Sequence, residues 1–156
     1  MSVAAIEIST VVTFHADAQV YALPVDRVRE IQQIVAFAEV PDAGDGICGM
    51  IDVRGEIVPV VDGRTLLGLP PAAYTVDTPM IVMLGPEGPV ALVVDEVDAI
   101  LDLSVDLAEP APTLHPLASK ILGVHHQEGR LVSVLDVDAL LADVGKNLAK
   151  MGESGD

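Results

Sequence analysis

The 156-residue sequence contains no tryptophan and one cysteine, and aromatic residues make up only 3% of it. A core must therefore be assembled from Val, Leu, Ile and Ala, the bulk of its 51% hydrophobic content. The single Cys48 excludes an internal disulfide and fits a reducing compartment. Basic residues are scarce as well: eight Lys and Arg against 24 Asp and Glu leave a net charge of −16. Nucleic acid would be repelled by that charge, and no Lys/Arg cluster offers a local exception. An anionic membrane surface is disfavoured for the same reason. No apolar run approaches the ~20 residues that span a bilayer, so membrane insertion is not expected. The opening MSVAAIEIST carries Glu7 inside its apolar stretch and no basic segment, which does not read as a signal peptide. The expected location is cytoplasmic.

Catalytic signatures are missing too. There is no Gly-rich loop followed by Lys-Ser/Thr and no Gly-x-Ser-x-Gly elbow. The histidines are His15, His115, His125 and His126. The adjacent pair on a strand would point to opposite faces, which disfavours joint metal ligation. Cys48, in Gly-Ile-Cys-Gly, has no basic activator nearby in sequence and reads as a buried, inert thiol. The acidic run from Asp95 to Glu109 lacks the Gly and terminal Glu of a calcium loop. With only Phe14, Phe37, Tyr21 and Tyr74, the chain cannot readily line an aromatic groove for Pro-rich peptides. No cofactor is expected. A small β-barrel enzyme or metal-binding protein using acidic residues with His125/His126 is the alternative reading of function.

What the sequence does contain is a succession of short apolar runs separated by turn signals. TVVTFHA and VYALPV flank Asp17-Ala18-Gln19, and MIVML and PVALVV flank Gly85-Pro86-Glu87-Gly88, which predicts two hairpins. Leu101, Leu103, Val105 and Leu107 alternate with polar residues, as a strand with one wet face does. Helical turns are expected around Val25–Ile31, near Gly44–Met50 and around Asp138–Leu141. The tail KNLAKMGESGD lacks apolar spacing and is expected to be frayed.

The runs also repeat. GMIDVRGEIVPVVDGRTLLG (49–68) aligns without gaps on GVHHQEGRLVSVLDVDALLA (123–142), at an offset of 74, with seven of twenty positions identical. YALPVDRV (21–28) aligns on VALVVDEV (90–97) at an offset of 69. Half the chain would be a marginal core alone, so two packed barrels of about five strands each are expected, closure removing exposed edges. The repeat does not locate a point at which the chain would cross between them.

The repeat serves as an internal control. Arg54-Gly55-Glu56 aligns with Glu128-Gly129-Arg130: the Gly is kept, as a turn needing positive φ requires, while the flanking charges reverse. The turn therefore does not dictate Arg54. Glu30 likewise falls opposite Ala99. Glu30 and Arg54 are charges of the first half only, and mark a candidate site there.

At these residues the sequence resembles the CheW family of bacterial chemotaxis coupling proteins over roughly residues 8 to 143. The resemblance rests on an ordered series: VVTFHADAQVYALPVDRVREI, a Pro near Pro41, GMIDVRGEIVPVVDGRTLLG, ALVVDEVDAI and ILGVHHQEGRLVSVLDVDALL. It implies a mostly β fold of two packed five-stranded Src-homology-3-like barrels with a few short helices. The corresponding layout is an N-terminal tail (1–8), a CheW-like domain (9–143) and a flexible C-terminal tail (144–156). The first barrel would span roughly 9–75 and the second 76–143, unless strands are exchanged between them. It further implies a non-enzymatic adaptor with two partners: the cytoplasmic hairpin of a chemoreceptor and the regulatory domain of a CheA-type histidine kinase. Receptor contact would fall to Val28, Glu30, Arg54 and Gly55; no residues are assigned to the kinase contact. The sequence departs from the family at Asp52, where Asn is usual, and at Gly63, where Leu is usual in Val-Asp-Leu-Arg.

Overall fold

The computed structural model describes residues 6–33, 46–106, 117–142 and 144. Phe37, Pro41, Leu107, His115 and the KNLAKMGESGD tail lie outside them. Ten strands are formed: β1 (Ile6–Ala16), β2 (Gln19–Pro24), β3 (Val28–Gln33), β4 (Ile47–Val53), β5 (Glu56–Asp62), β6 (Pro79–Gly85), β7 (Gly88–Val93), β8 (Glu96–Asp106), β9 (Ile121–Gln127) and β10 (Arg130–Leu135). Two single-turn helices, α1 (Gly63–Leu66) and α2 (Val137–Leu140), follow β5 and β10.

The strands form two sheets: a closed barrel ordered β1-β2-β10-β9-β8, and a five-stranded sheet ordered β3-β6-β7-β5-β4. The sheets are not consecutive in the chain. The β1–β2 hairpin of the first repeat joins three strands of the second, and the β6–β7 hairpin of the second joins three strands of the first. The registers show that this is one arrangement made twice. Val60 lies opposite Ala91 in the parallel pair β5–β7, and Val134 opposite Ala22 in β10–β2. Val28 faces Met83, and Val97 faces Phe14. The sequence offsets of 74 and 69 convert one set of pairs into the other. Even the ladder irregularity at residues 28–30 of β3 recurs at the matching place between β8 and β1.

This topology explains the long aliphatic runs. Val11, Val20, Ala22, Leu103, Val105, Val132 and Val134 fill the closed barrel. Ile51, Val53, Val58, Val60, Met80, Val82, Ala91 and Val93 pack inside the second sheet. Their alternates, including Tyr21, Leu23, Ile81, Met83, Leu92 and Leu135, join a third cluster shared between the two. The strands facing this shared cluster are thus buried on both sides and have no polar face to alternate. Phe14 and Tyr21 stack there with ring centroids 5.6 Å apart, and Met83 opposite Val90 takes their place in the other copy.

Two helical expectations are corrected. Only Val25–Arg27 is helical, as a 3-10 turn, and Val28 onward is the strand β3. The spacing of Val25, Val28 and Ile31 suits a helix face, but pairing with β6 prevails. The region near Met50 is strand from Ile47 on, and Gly44 lies outside the described residues. The C-terminal helix forms as expected, with the Asp136 carboxylate accepting from the Ala139 N–H at 3.2 Å.

Candidate functional site

Arg54 and Gly55 form the two-residue turn between β4 and β5, with φ of 53° and 85°. Both values are left-handed, the pattern of a type I′ hairpin. Glu128 and Gly129 repeat it, at 47° and 77°. Gly55 is there for its backbone, since a Cβ added to it would meet nothing within 4 Å. Asp52 sits just before the turn, and its Oδ1 accepts the Gly55 N–H at 2.7 Å. The residue that departs from the family pattern is thus committed to the turn.

The turn reaches β3. Arg54 Nη2 lies 3.6 Å from Glu30 Oε2, and Arg29 Nη1 donates to Glu56 Oε1 at 3.0 Å. β3 and β4 stand at opposite ends of their sheet order and share no backbone ladder among the described residues, so these ion pairs span the open seam. Glu30 also accepts a hydrogen bond from Gln32 Nε2. The Glu30 side chain is only 16% exposed, whereas that of Arg54 is 75% exposed. Glu30 is therefore a fixed anchor, and Arg54 projects from it into solvent. Val28, two residues before Glu30, is half-buried; across the ladder irregularity it pairs with Met83 and packs against the shared core, while Glu30 pairs with Val82. The structure brings Glu30, Arg54 and Gly55 together, with Val28 beside Glu30. It adds Arg29 and Glu56, which the repeat comparison did not single out although Glu56 is charge-reversed against Arg130.

The equivalent seam in the closed barrel, between β8 and β9, is built differently. One backbone pair, Asp106 with Val124, joins the strands, and His125 Nδ1 lies 2.8 Å from the Ser104 carbonyl oxygen. His125 is thereby held as part of the seam, and His126 is exposed. Among the described residues no three His, Cys, Asp or Glu side chains group closely enough to hold a metal ion. Cys48 is half-buried; its Sγ lies 3.5 Å from the Val60 carbonyl and 3.7 Å from the Tyr74 hydroxyl. Burial pushes its thiol above the ordinary range, opposite to what a nucleophile needs. Among the described residues no helix is long and apolar enough to cross a membrane.

Residues 10–145 match the family model of the CheW-like domain. The chain is 30% identical over 132 residues to the chemotaxis protein CheW of Bacillus subtilis, covering 83% of this chain and 85% of that protein. It is 31% identical over 122 residues to the CheW of Klebsiella aerogenes, covering 77% and 72%. The crystal structure of the scaffolding protein TtCheW from Thermoanaerobacter tengcongensis superposes with a TM-score of 0.77 at 21% identity, covering 90% of this chain and 97% of that one. With its fold and its sequence in agreement, the chain belongs to the CheW family of chemotaxis coupling proteins.

Proposed function

We propose that this protein is a non-enzymatic cytoplasmic adaptor that couples the hairpin tip of a chemoreceptor to the regulatory domain of a CheA-type histidine kinase. Val28, Glu30, Arg54 and Gly55 form its receptor contact. The observation that carries this reading is the asymmetry of the Glu30–Arg54 pair. A guanidinium 75% exposed, tethered to a largely buried carboxylate, is poorly explained as a stabilising ion pair, because exposed pairs contribute at most ~1 kcal/mol. The second copy makes the same turn with Glu128 and has Ala99 in place of Glu30, so neither charge is needed to build the barrel.

Adaptor action follows from geometry. An Arg whose backbone is fixed by a two-residue turn projects its fork from a defined point of the sheet, with the Glu30 carboxylate 3.6 Å away to bias its direction. A carboxylate or backbone carbonyl on a receptor helix could accept from it while the half-buried Val28 face meets apolar side chains. Individual contacts of modest affinity suffice where many copies bind together. In a pull-down with a soluble receptor-hairpin fragment and a CheA-type regulatory domain, the wild-type chain is expected to retain both. Arg54→Glu should lose the receptor fragment, keep the kinase domain and leave circular dichroism unchanged. An unfolded variant, or undiminished receptor binding, would refute the assignment of Arg54.

A further inference from the structure

Each of the two points where the chain leaves one sheet for the other carries an arginine–aspartate clamp, and the polarity of the clamps is opposite. On the path from β2 to β3, Arg27 donates from Nε and Nη2 to the Leu84 carbonyl at 2.9 and 2.6 Å, and from Nη2 to Asp138 Oδ1 at 2.5 Å. Leu84 belongs to β6 of the open sheet, while Asp138 lies in α2, which follows β10 of the closed barrel. On the path from β7 to β8, Asp95 is held by Arg64 of α1, with Nε–Oδ1 at 2.9 Å and Nη2–Oδ2 at 2.6 Å. The same Asp95 accepts the Asp17 N–H at 2.9 Å from the β1–β2 turn of the closed barrel, and Arg64 also donates to the Pro70 carbonyl at 2.9 Å. Arg64 and Asp138 are equivalent positions of the repeat, one residue past Gly63 and Val137. The helix supplies the cation in one clamp and the anion in the other.

The shared core between the sheets consists of aliphatic side chains, whose burial is favourable but not directional. Charged hydrogen bonds with a planar fork are directional. We propose that the two clamps set the angle between the barrels, and that Arg27 in particular is a positioning residue for the surface on β3. Arg27 immediately precedes Val28 and stands three residues from Glu30, with its side chain tied to both barrels. This rests on the reading of Val28, Glu30 and Arg54 as the receptor contact. An ordinary solvated ion pair would leave the partner site indifferent to its loss. Three donated bonds, two of them to a main-chain carbonyl, distinguish Arg27 from such a pair: a lysine retains the charge but cannot make this bridge.

The test uses the full-length chain with Cys48→Ser and spin labels at Glu87→Cys, in the β6–β7 turn of the open sheet, and at Ser104→Cys, on β8 of the closed barrel. Arg27→Lys and the milder Asp138→Asn are compared with the parent in inter-label distance distribution, thermal melting and affinity for the receptor-hairpin fragment. Both variants are expected to melt as folded proteins, to broaden the distance distribution and to bind the fragment on the order of tenfold more weakly. An unchanged distribution in both variants overturns the proposal, and so does a broadened one with unchanged affinity. If the parent itself fails to bind, the adaptor reading falls, and the distances then decide the geometric role of the clamps alone.

Discussion

At the scale of the residue, the Arg54 backbone works against its presence. Left-handed φ costs a residue with a Cβ about 1–2 kcal/mol, and Asn, Asp and Gly bear it best. Arg at the first position of a type I′ turn is thus a poor choice for the turn and a good one for something outside it. Arg54→Asn should raise stability by about 1 kcal/mol, read as a higher urea midpoint with unchanged slope, while receptor-fragment binding falls. A loss of stability would mean that the Glu30 contact outweighs the strain. The special status of Arg54 is legible in the sequence because the repeat supplies a second turn with Glu128 in its place. The left-handed φ of Arg54 is not legible, since only the Gly advertises it. Nor is the role of Asp52, whose hydrogen bond to Gly55 depends on how the hairpin closes.

At the scale of the element, strand and turn compete over the same residues. The start of β3 reads as helical because Val25, Val28 and Ile31 are spaced like a helix face, and only the partner strand β6 resolves the ambiguity. Helix α1 shows the converse. Gly63 has no helical propensity to recommend it, yet a Cβ there would stand 2.3 Å from the Val93 carbonyl oxygen. The second copy carries Val137 at the matching position, so the approach of α1 to β7 is closer than its counterpart tolerates. Gly63→Ala should destabilise the chain by about 1–3 kcal/mol, because the obstructing atom is backbone and cannot swing aside. Thermal melting measures this. An unchanged midpoint would show that α1 shifts freely, and the closeness of the approach would then have no structural weight.

At the scale of the whole molecule, the arginine clamps connect acid stability to the joint between barrels. The hydrogen bonds from Arg64 and Arg27 hold the carboxyls of Asp95 and Asp138 below the usual carboxylate range. With folded pKa values depressed, the unfolded chain takes up protons first as the pH drops. The contribution of these groups is complete above the ordinary carboxylate range and is lost as pH falls through the depressed folded values. Urea unfolding across that range should show stability declining with acid. The double variant Asp95→Asn/Asp138→Asn should be less stable at neutral pH and show a shallower decline. An equally steep decline would place the acid sensitivity in other carboxylates.

The sequence by itself determined the strand-rich character, both hairpins, the two-fold repeat and the pair of charges belonging to one copy only. These follow from local patterning and from comparison of the chain with itself. Tertiary structure decided which repeat each hairpin joins, that β3 is a strand, and that Arg27 and Arg64 bridge the sheets. Aliphatic strands carry almost no pairing information, so partner choice emerges only when every strand competes for burial at once. Bonds such as those from Arg27 to Leu84 and Asp138, 57 and 111 residues away, exist only after that competition is settled.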